Sequence, residues 1–187
     1  MMNGKSIGLL VAVLLCLVLG AEAQMVFTRT GMAHFYSKAT LEDIEAVNKK
    51  VQCAFNPGSG QVSVKIPIAD FVFDKKLMQE HFNENYLESE KYPNAGLEGK
   101  IAEVLDQEKD GVSKVQMKGI LDLHGVKKEY NIPAEVTVKN GMATNARAKF
   151  TVKLADHEIK IPTLVMQKIA EEIAIDIDFD LLPIPKK

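Results

Sequence analysis

Apolar and polar residues alternate with a period of two along most of this chain, the pattern of strands that bury one face. Val62, Val64, Ile66 and Ile68 alternate with Ser63, Lys65 and Pro67, and Val115, Met117, Gly119, Leu121 and Leu123 with Gln116, Lys118 and Asp122. Tyr130, Ile132, Ala134, Val136 and Val138 form a third run, and Phe150, Val152 and Leu154 a fourth. The last is the clearest, with Ile173, Ile175, Ile177, Phe179 and Leu181 opposed by Asp176, Asp178 and Asp180. The phase slips at Ala69-Asp70 before Phe71 and Phe73, which predicts a bulge or bend there. Asn56-Pro57-Gly58-Ser59-Gly60, Asp110-Gly111, His124-Gly125 and Asn140-Gly141 separate the runs and favour tight turns between antiparallel neighbours.

Two stretches leave this period. Asp74 is placed to cap a helix starting at Lys75, along which Leu77, Met78, Phe82 and Leu87, with His81, recur at helical spacing. That helix must end before Tyr92-Pro93. A second short helix is predicted from Thr163 to Ala170. About eight one-face-apolar antiparallel strands close into a barrel or stack as a sandwich. Periodicity does not choose between them, nor between a filled core and a pocket.

The N-terminus follows another logic. A short polar start with Lys5 leads into the apolar run Ile7 to Leu19, then Gly20 and Ala21-Glu22-Ala23. This is the three-part pattern of a cleaved secretory signal, and the run is short for a membrane span. The expected units are a signal over 1–23 and one domain over 24–187. Cys16 follows Leu15 inside the apolar run, which argues against lipid attachment there. Cleavage leaves Cys53 alone, so an exported protein must rely on its core and not on a disulfide. Its alternation with Val51 and Phe55 predicts a buried, inert thiol.

Composition then removes classes of function. Lys and Arg number 23 against 25 Asp and Glu, a net charge of -2, and no basic stripe is interleaved with aromatics, so nucleic-acid binding is disfavoured. His157-Glu158 begins like a zinc-protease helix, but Ile161 stands where the second His belongs, and the segment reads as strand. Asp176, Asp178 and Asp180 lack the Gly and the later Glu of a calcium loop and read as a solvated strand face. Gly58-Ser59-Gly60 is a turn and not a nucleophile elbow. His34, His81, His124 and His157 stand singly, which favours structural or surface roles, and no metal site is expected.

Two segments carry a resemblance. One runs from Leu77-Met78-Gln79-Glu80-His81-Phe82 to Lys91-Tyr92-Pro93 and Leu97-Glu98-Gly99-Lys100-Ile101; the other is Gly119-Ile120-Leu121-Asp122-Leu123-His124-Gly125-Val126. Together they resemble the YceI-like family of secreted bacterial proteins, whose pattern is a His-bearing helix, a Tyr-Pro step into a strand, and a later Leu-x-x-His-Gly-Val turn. The segment Gly31 to Lys38 departs from the commonest family opening. The resemblance implies an all-β, lipocalin-like antiparallel barrel of about eight strands with one or two short helices, located in the periplasm. It implies a long apolar ligand inside, a polyisoprenoid or isoprenoid quinone, with no catalysis, no other cofactor and no stable membrane insertion. A homodimer is left open.

The expected lining is the inward apolar set: Val64, Ile66, Phe71, Phe73, Met117, Leu121, Ile132, Val136, Phe150, Val152, Ile175, Ile177 and Phe179. Leu77, Met78 and Phe82 would close one end. His81 and His124 either anchor structure, His81 on the helix and His124 at its turn, or touch a ligand headgroup. Two other functions compete. One is an enzyme acting on an amphiphile through Glu80, His81 and His124; the other is a packed barrel that binds partners and holds no ligand.

Overall fold

A strand that buries one face needs a partner on each edge, and in this chain the strands find theirs by closing on themselves. The computed structural model describes residues 24–38, 43–161 and 170–184. The expected signal at 1–23, and the expected helix from Thr163 up to residue 169, lie outside them. The strands are β1 (Val26–Ser37), β2 (Ile44–Phe55), β3 (Gln61–Pro67), β4 (Val72–Phe73), β5 (Asn94–Ile101), β6 (Gly111–Leu123), β7 (Val126–Lys139), β8 (Met142–Lys153), β9 (Glu172–Asp180) and β10 (Leu182–Pro183). Eight of them form a closed antiparallel ring in the order β1, β2, β3, β5, β6, β7, β8, β9, with β1 pairing back onto both β9 and β2. The two-residue β4 and β10 extend the sheet along β2 and β1. The chain is therefore an all-β barrel, in which each of the eight strands pairs with a neighbour on both sides over part of its length.

The alternation sets which residues face in. Val115, Met117, Gly119 and Leu121 of β6 are buried, as are Ile132, Val136 and Val138 of β7, and Ile173, Ile177, Phe179 and Leu181 along and just after β9. The aspartates of β9 face out: Asp178 accepts from Arg147 Nε at 2.9 Å, and Lys149 Nζ lies 3.1 Å from Asp176. Each such exposed pair is worth at most about 1 kcal/mol. Gly99 and Gly119 stand opposite one another on inward positions of β5 and β6. A Cβ on Gly119 would lie 2.8 Å from the Glu98 carbonyl oxygen and 3.1 Å from Gly99 Cα. Only glycine lets the two backbones approach this closely.

The turns follow the predicted chemistry with one exception. Asn140-Gly141 and His124-Gly125 both take positive φ at both positions, the tight turn whose twist suits antiparallel strands. Asn56 Oδ1 accepts from the backbone N–H of Gly58 and Ser59 and holds the β2–β3 turn. Asp110-Gly111 is not a tight turn. It ends a longer connection over 102–110, because β5 stops at Ile101 while β6 starts only at Gly111.

Three local expectations change. The phase slip at Ala69-Asp70 is a single 3-10 turn, Ile68–Asp70, that redirects the chain to pair β4 with β2. The helix, α1 (Lys76–His81), is capped at Lys75 with no side-chain cap, so Asp74 does not cap it. It continues as one wide π turn over Phe82–Tyr86 and ends before Tyr92-Pro93 as expected. His157–Ile161 is not strand: Leu154–His157 is a 3-10 turn and Glu158 takes a left-handed φ of 56°, which breaks extension.

Candidate functional site

Inside the ring lie two small apolar spaces. The one beneath α1 has a volume of about 80 Å³, and the one toward the opposite, far end about 70 Å³. Val64, Met117, Ile132, Val136, Ile177 and Phe179 line the far-end space, and Phe71, Phe82, Val152 and Ile175 the helix-end space. Ile66, Leu121 and Phe150 line both, so these three side chains form the constriction between them. Strand alternation brings these thirteen sequence-selected residues to one interior, because each occupies an inward position on its strand or, for Phe71 and Phe82, on the cover at the helix end.

Three of the expected lining residues lie elsewhere. Leu77 is 61% exposed. It precedes Phe82 by five residues, about 140° round a helix axis, so when Phe82 points inward Leu77 cannot. Met78 is half-buried against the core and Phe73 is buried, but neither borders the two spaces. Phe73 packs against the rings of Phe35 and Phe82, at centroid distances of 6.1 and 4.9 Å. With Phe71 at 5.5 Å from Phe82, these rings plug the helix end.

The two family-motif histidines differ. His81 is exposed and makes no hydrogen bond or ion pair among the described residues, so it does not anchor the helix. No hydrogen bond joins Glu80 or His81 to His124 among the described residues. His124, only 11% exposed in its side chain, is held in place by three contacts. Its Nε2 lies 2.8 Å from Glu88 Oε2, its Nδ1 lies 3.2 Å from the His157 carbonyl oxygen, and its ring packs on Tyr92 at 4.5 Å. Its turn partner Gly125 is required twice, by a φ of 76° and by the Tyr92 ring, 2.7 Å from where a Cβ would sit.

The histidine of the near-miss metal motif is the most deeply placed. His157 is fully buried. Its Nδ1 lies 3.0 Å from the Val126 carbonyl oxygen, which can only accept, so Nδ1 carries the proton and Nε2 accepts from the Tyr130 hydroxyl at 3.0 Å. The two rings stack with an interplanar angle of 10°. Burial, helped by the charge of Asp156, pushes the Tyr130 hydroxyl above its ordinary range and keeps it a donor. No motif links His157 to partners 31 and 27 residues away. Phe35, Leu87, Leu97 and Ile159 also line the spaces without having been selected. Phe35 was hidden because β1 carries register shifts on either side of Gly31 that break its alternation.

Cys53 is a wall residue of the far-end space, and burial pushes its thiol up to about 12, so it stays protonated and inert. Outside the barrel, a broader groove of about 670 Å³ crosses β6–β9. Glu103, Lys114, Glu135, Arg147, Lys149, Asp176 and Asp178 border it, charged residues of both signs. The apolar interior, not this groove, is the site suited to a hydrocarbon. Among the described residues no group of three or more His, Cys, Asp or Glu is placed to hold a metal ion.

A sequence model of the YceI-like domain matches residues 20–181. Three solved structures share the fold. A polyisoprenoid-binding domain from Saccharophagus degradans implicated in plant cell wall breakdown is 15% identical over 87% of this chain and 99% of that one, with a TM-score of 0.71. BcnA of Burkholderia cenocepacia is 18% identical over 81% and 94%, with a TM-score of 0.64. The YceI protein of Campylobacter jejuni is 20% identical over 80% and 86%, with a TM-score of 0.56. No curated protein matches.

Proposed function

This chain belongs to the YceI-like family, and from that premise we propose that it is a non-catalytic periplasmic protein that encloses a long apolar chain, a polyisoprenoid or the tail of an isoprenoid quinone, within its barrel. One observation carries the reading: the two interior spaces are walled almost wholly by hydrocarbon side chains and meet at a constriction of three movable ones, Ile66, Leu121 and Phe150. Each CH₂ group moved from water into such a wall gains about 0.8 kcal/mol. A chain of isoprene units therefore needs no specific polar contact, and length and shape select it. The S. degradans relative, a polyisoprenoid-binding domain of the same fold, supports the ligand class. The expected signal at 1–23 supports the location.

The packed-barrel reading has an observation of its own. Spaces of about 80 and 70 Å³ fall below the roughly 300 Å³ at which ligand pockets begin. A bound chain must therefore displace the constriction and join the two. The test is native mass spectrometry and lipid extraction of the protein purified from its own envelope. The expected result is a chain mass raised by one stoichiometric lipid of isoprenoid composition. A bare mass with no extractable lipid would leave the packed barrel in its place.

A further inference from the structure

The barrel wall is not uniform. β7 and β8 are paired from Lys139↔Met142 to Ala134↔Ala148, and there the ladder stops. Beyond it both strands continue, β7 from Pro133 back to Val126 held only by β6, and β8 from Lys149 to Lys153 held only by β9. Pro133, with no N–H to donate, stands at the fork. The gap is closed by side chains and by a strap, Leu154–Ile159, folded across it. His157 of the strap reaches the Val126 carbonyl and the Tyr130 hydroxyl, its own carbonyl faces His124, and Lys128 lies 3.8 Å from Asp156 on the outside. Behind the strap are Phe150, whose ring meets Tyr130 at 6.1 Å, and Ile159, both lining the interior. At the base of the fork, Ala134 and Ala148 border the interior on one side and the outer groove on the other.

We propose that the fork between β7 and β8 is the route by which an apolar chain reaches the interior, with the Leu154–Ile159 strap as its door; this rests on the reading that the interior takes such a chain. Where strands are paired an opening must break a backbone ladder, beneath α1 the packed phenylalanine plug, and at the β2–β3 seam the pairing of β4 on β2 as well as a side-chain hydrogen bond. At the fork it must break a few side-chain hydrogen bonds and lift one turn. The same movement frees Phe150, which both flanks the fork and forms the constriction, so opening the wall and joining the two spaces become one event.

The test is the exchange of N-phenyl-1-naphthylamine, an apolar fluorophore that brightens out of water, followed by stopped flow. In a Cys16→Ser background, Lys128→Cys with Asp156→Cys are tied by a reductant-cleavable bismaleimide, leaving the buried Cys53 in place. The tie is expected to slow both association and release by at least about tenfold, and reduction of the linker to restore them. Tyr130→Phe, which keeps the ring and removes one hydrogen bond, is expected to speed both about fivefold with the Kd nearly unchanged. Binding with rates that neither change moves would overturn the fork as the route and leave the interior site standing. No binding to the wild-type protein would overturn both.

Discussion

Around the far half of the barrel, neighbouring strands are joined by backbone ladders except beyond Ile101↔Met117, where β5 has ended before the Gly111–Gln116 part of β6, and β10 adds a pairing to β1. Around the helix half, two of the joints are missing among the described residues. The β7–β8 ladder ends at Ala134↔Ala148, and the β2–β3 ladder at Gln52↔Lys65. Each gap is stitched by one fully buried polar side chain that donates to a main-chain carbonyl, and at the second β4 also pairs with β2. His157 does so to Val126 at 3.0 Å, and Asn48 Nδ2 to Pro67 at 2.7 Å. The difference teaches how a closed sheet keeps one end able to open. A ladder must break as a unit, whereas a side-chain stitch can be released alone, and regions of low local stability are where binding-site motions are drawn from.

The largest expected effect breaks the far half. Phe179→Ala removes a packed wall residue of the laddered half and should cost about 3–5 kcal/mol, seen as a lower denaturant midpoint with unchanged slope and accelerated exchange of amides throughout the barrel. His157→Ala leaves the Tyr130 hydroxyl and the Val126 carbonyl without their partner, a cost of about 1–3 kcal/mol for each buried group left unpaired. Hydrogen exchange should rise first in the strap and in β7 before Pro133, while residues 134–139 of the same strand stay protected. Uniform acceleration along β7 would erase the contrast between the halves. Asn48→Ala should behave likewise at the other seam, again about 1–3 kcal/mol, because the Lys50 N–H as well as the Pro67 carbonyl loses its partner.

An effect confined to alkaline pH reports on the far half, where Cys53 lies. Burial raises the Cys53 thiol from 9.0 to about 12. The unfolded chain then releases this proton at a lower pH than the folded one, so the unfolded state binds fewer protons between those values. This contribution to stability is complete below pH 9 and is lost as the pH rises toward 12. Cys53→Ala should flatten that part of the stability–pH curve, measured by urea melts from pH 8 to 11. Least of all, Lys149→Ala, on the outer face, should change stability by no more than about 1 kcal/mol, checked by the same melts.

Much of the fold was legible because burying one face of a strand writes itself into a period of two. Ile132, Val136, Ile177 and Phe179 could be placed on a common interior from spacing alone. The turns at Asn140-Gly141 and His124-Gly125 could be read because positive φ at both turn positions selects few residues. Barrel closure was not legible from spacing, which leaves a sandwich open; it came from the resemblance. What stayed hidden depends on contacts between distant residues. His157 reads in the sequence only as the first residue of a near-miss metal motif, since only the fold brings it to Val126 and Tyr130. Leu77 was grouped with Phe82 from helical spacing, but five residues set it about 140° round the axis, which faces it to solvent. The size of the interior spaces is set by how far Ile66, Leu121 and Phe150 reach toward one another, which no periodicity records.

The claim that the interior is the binding site is tested most directly by a crystal structure of the protein loaded with the lipid it carries from its own envelope. The expected result is one continuous hydrocarbon chain running through both spaces, with the Phe150 ring turned away from the constriction. A lipid lying in the outer groove, with Phe150 in place and the two spaces still separate at about 80 and 70 Å³, would contradict it.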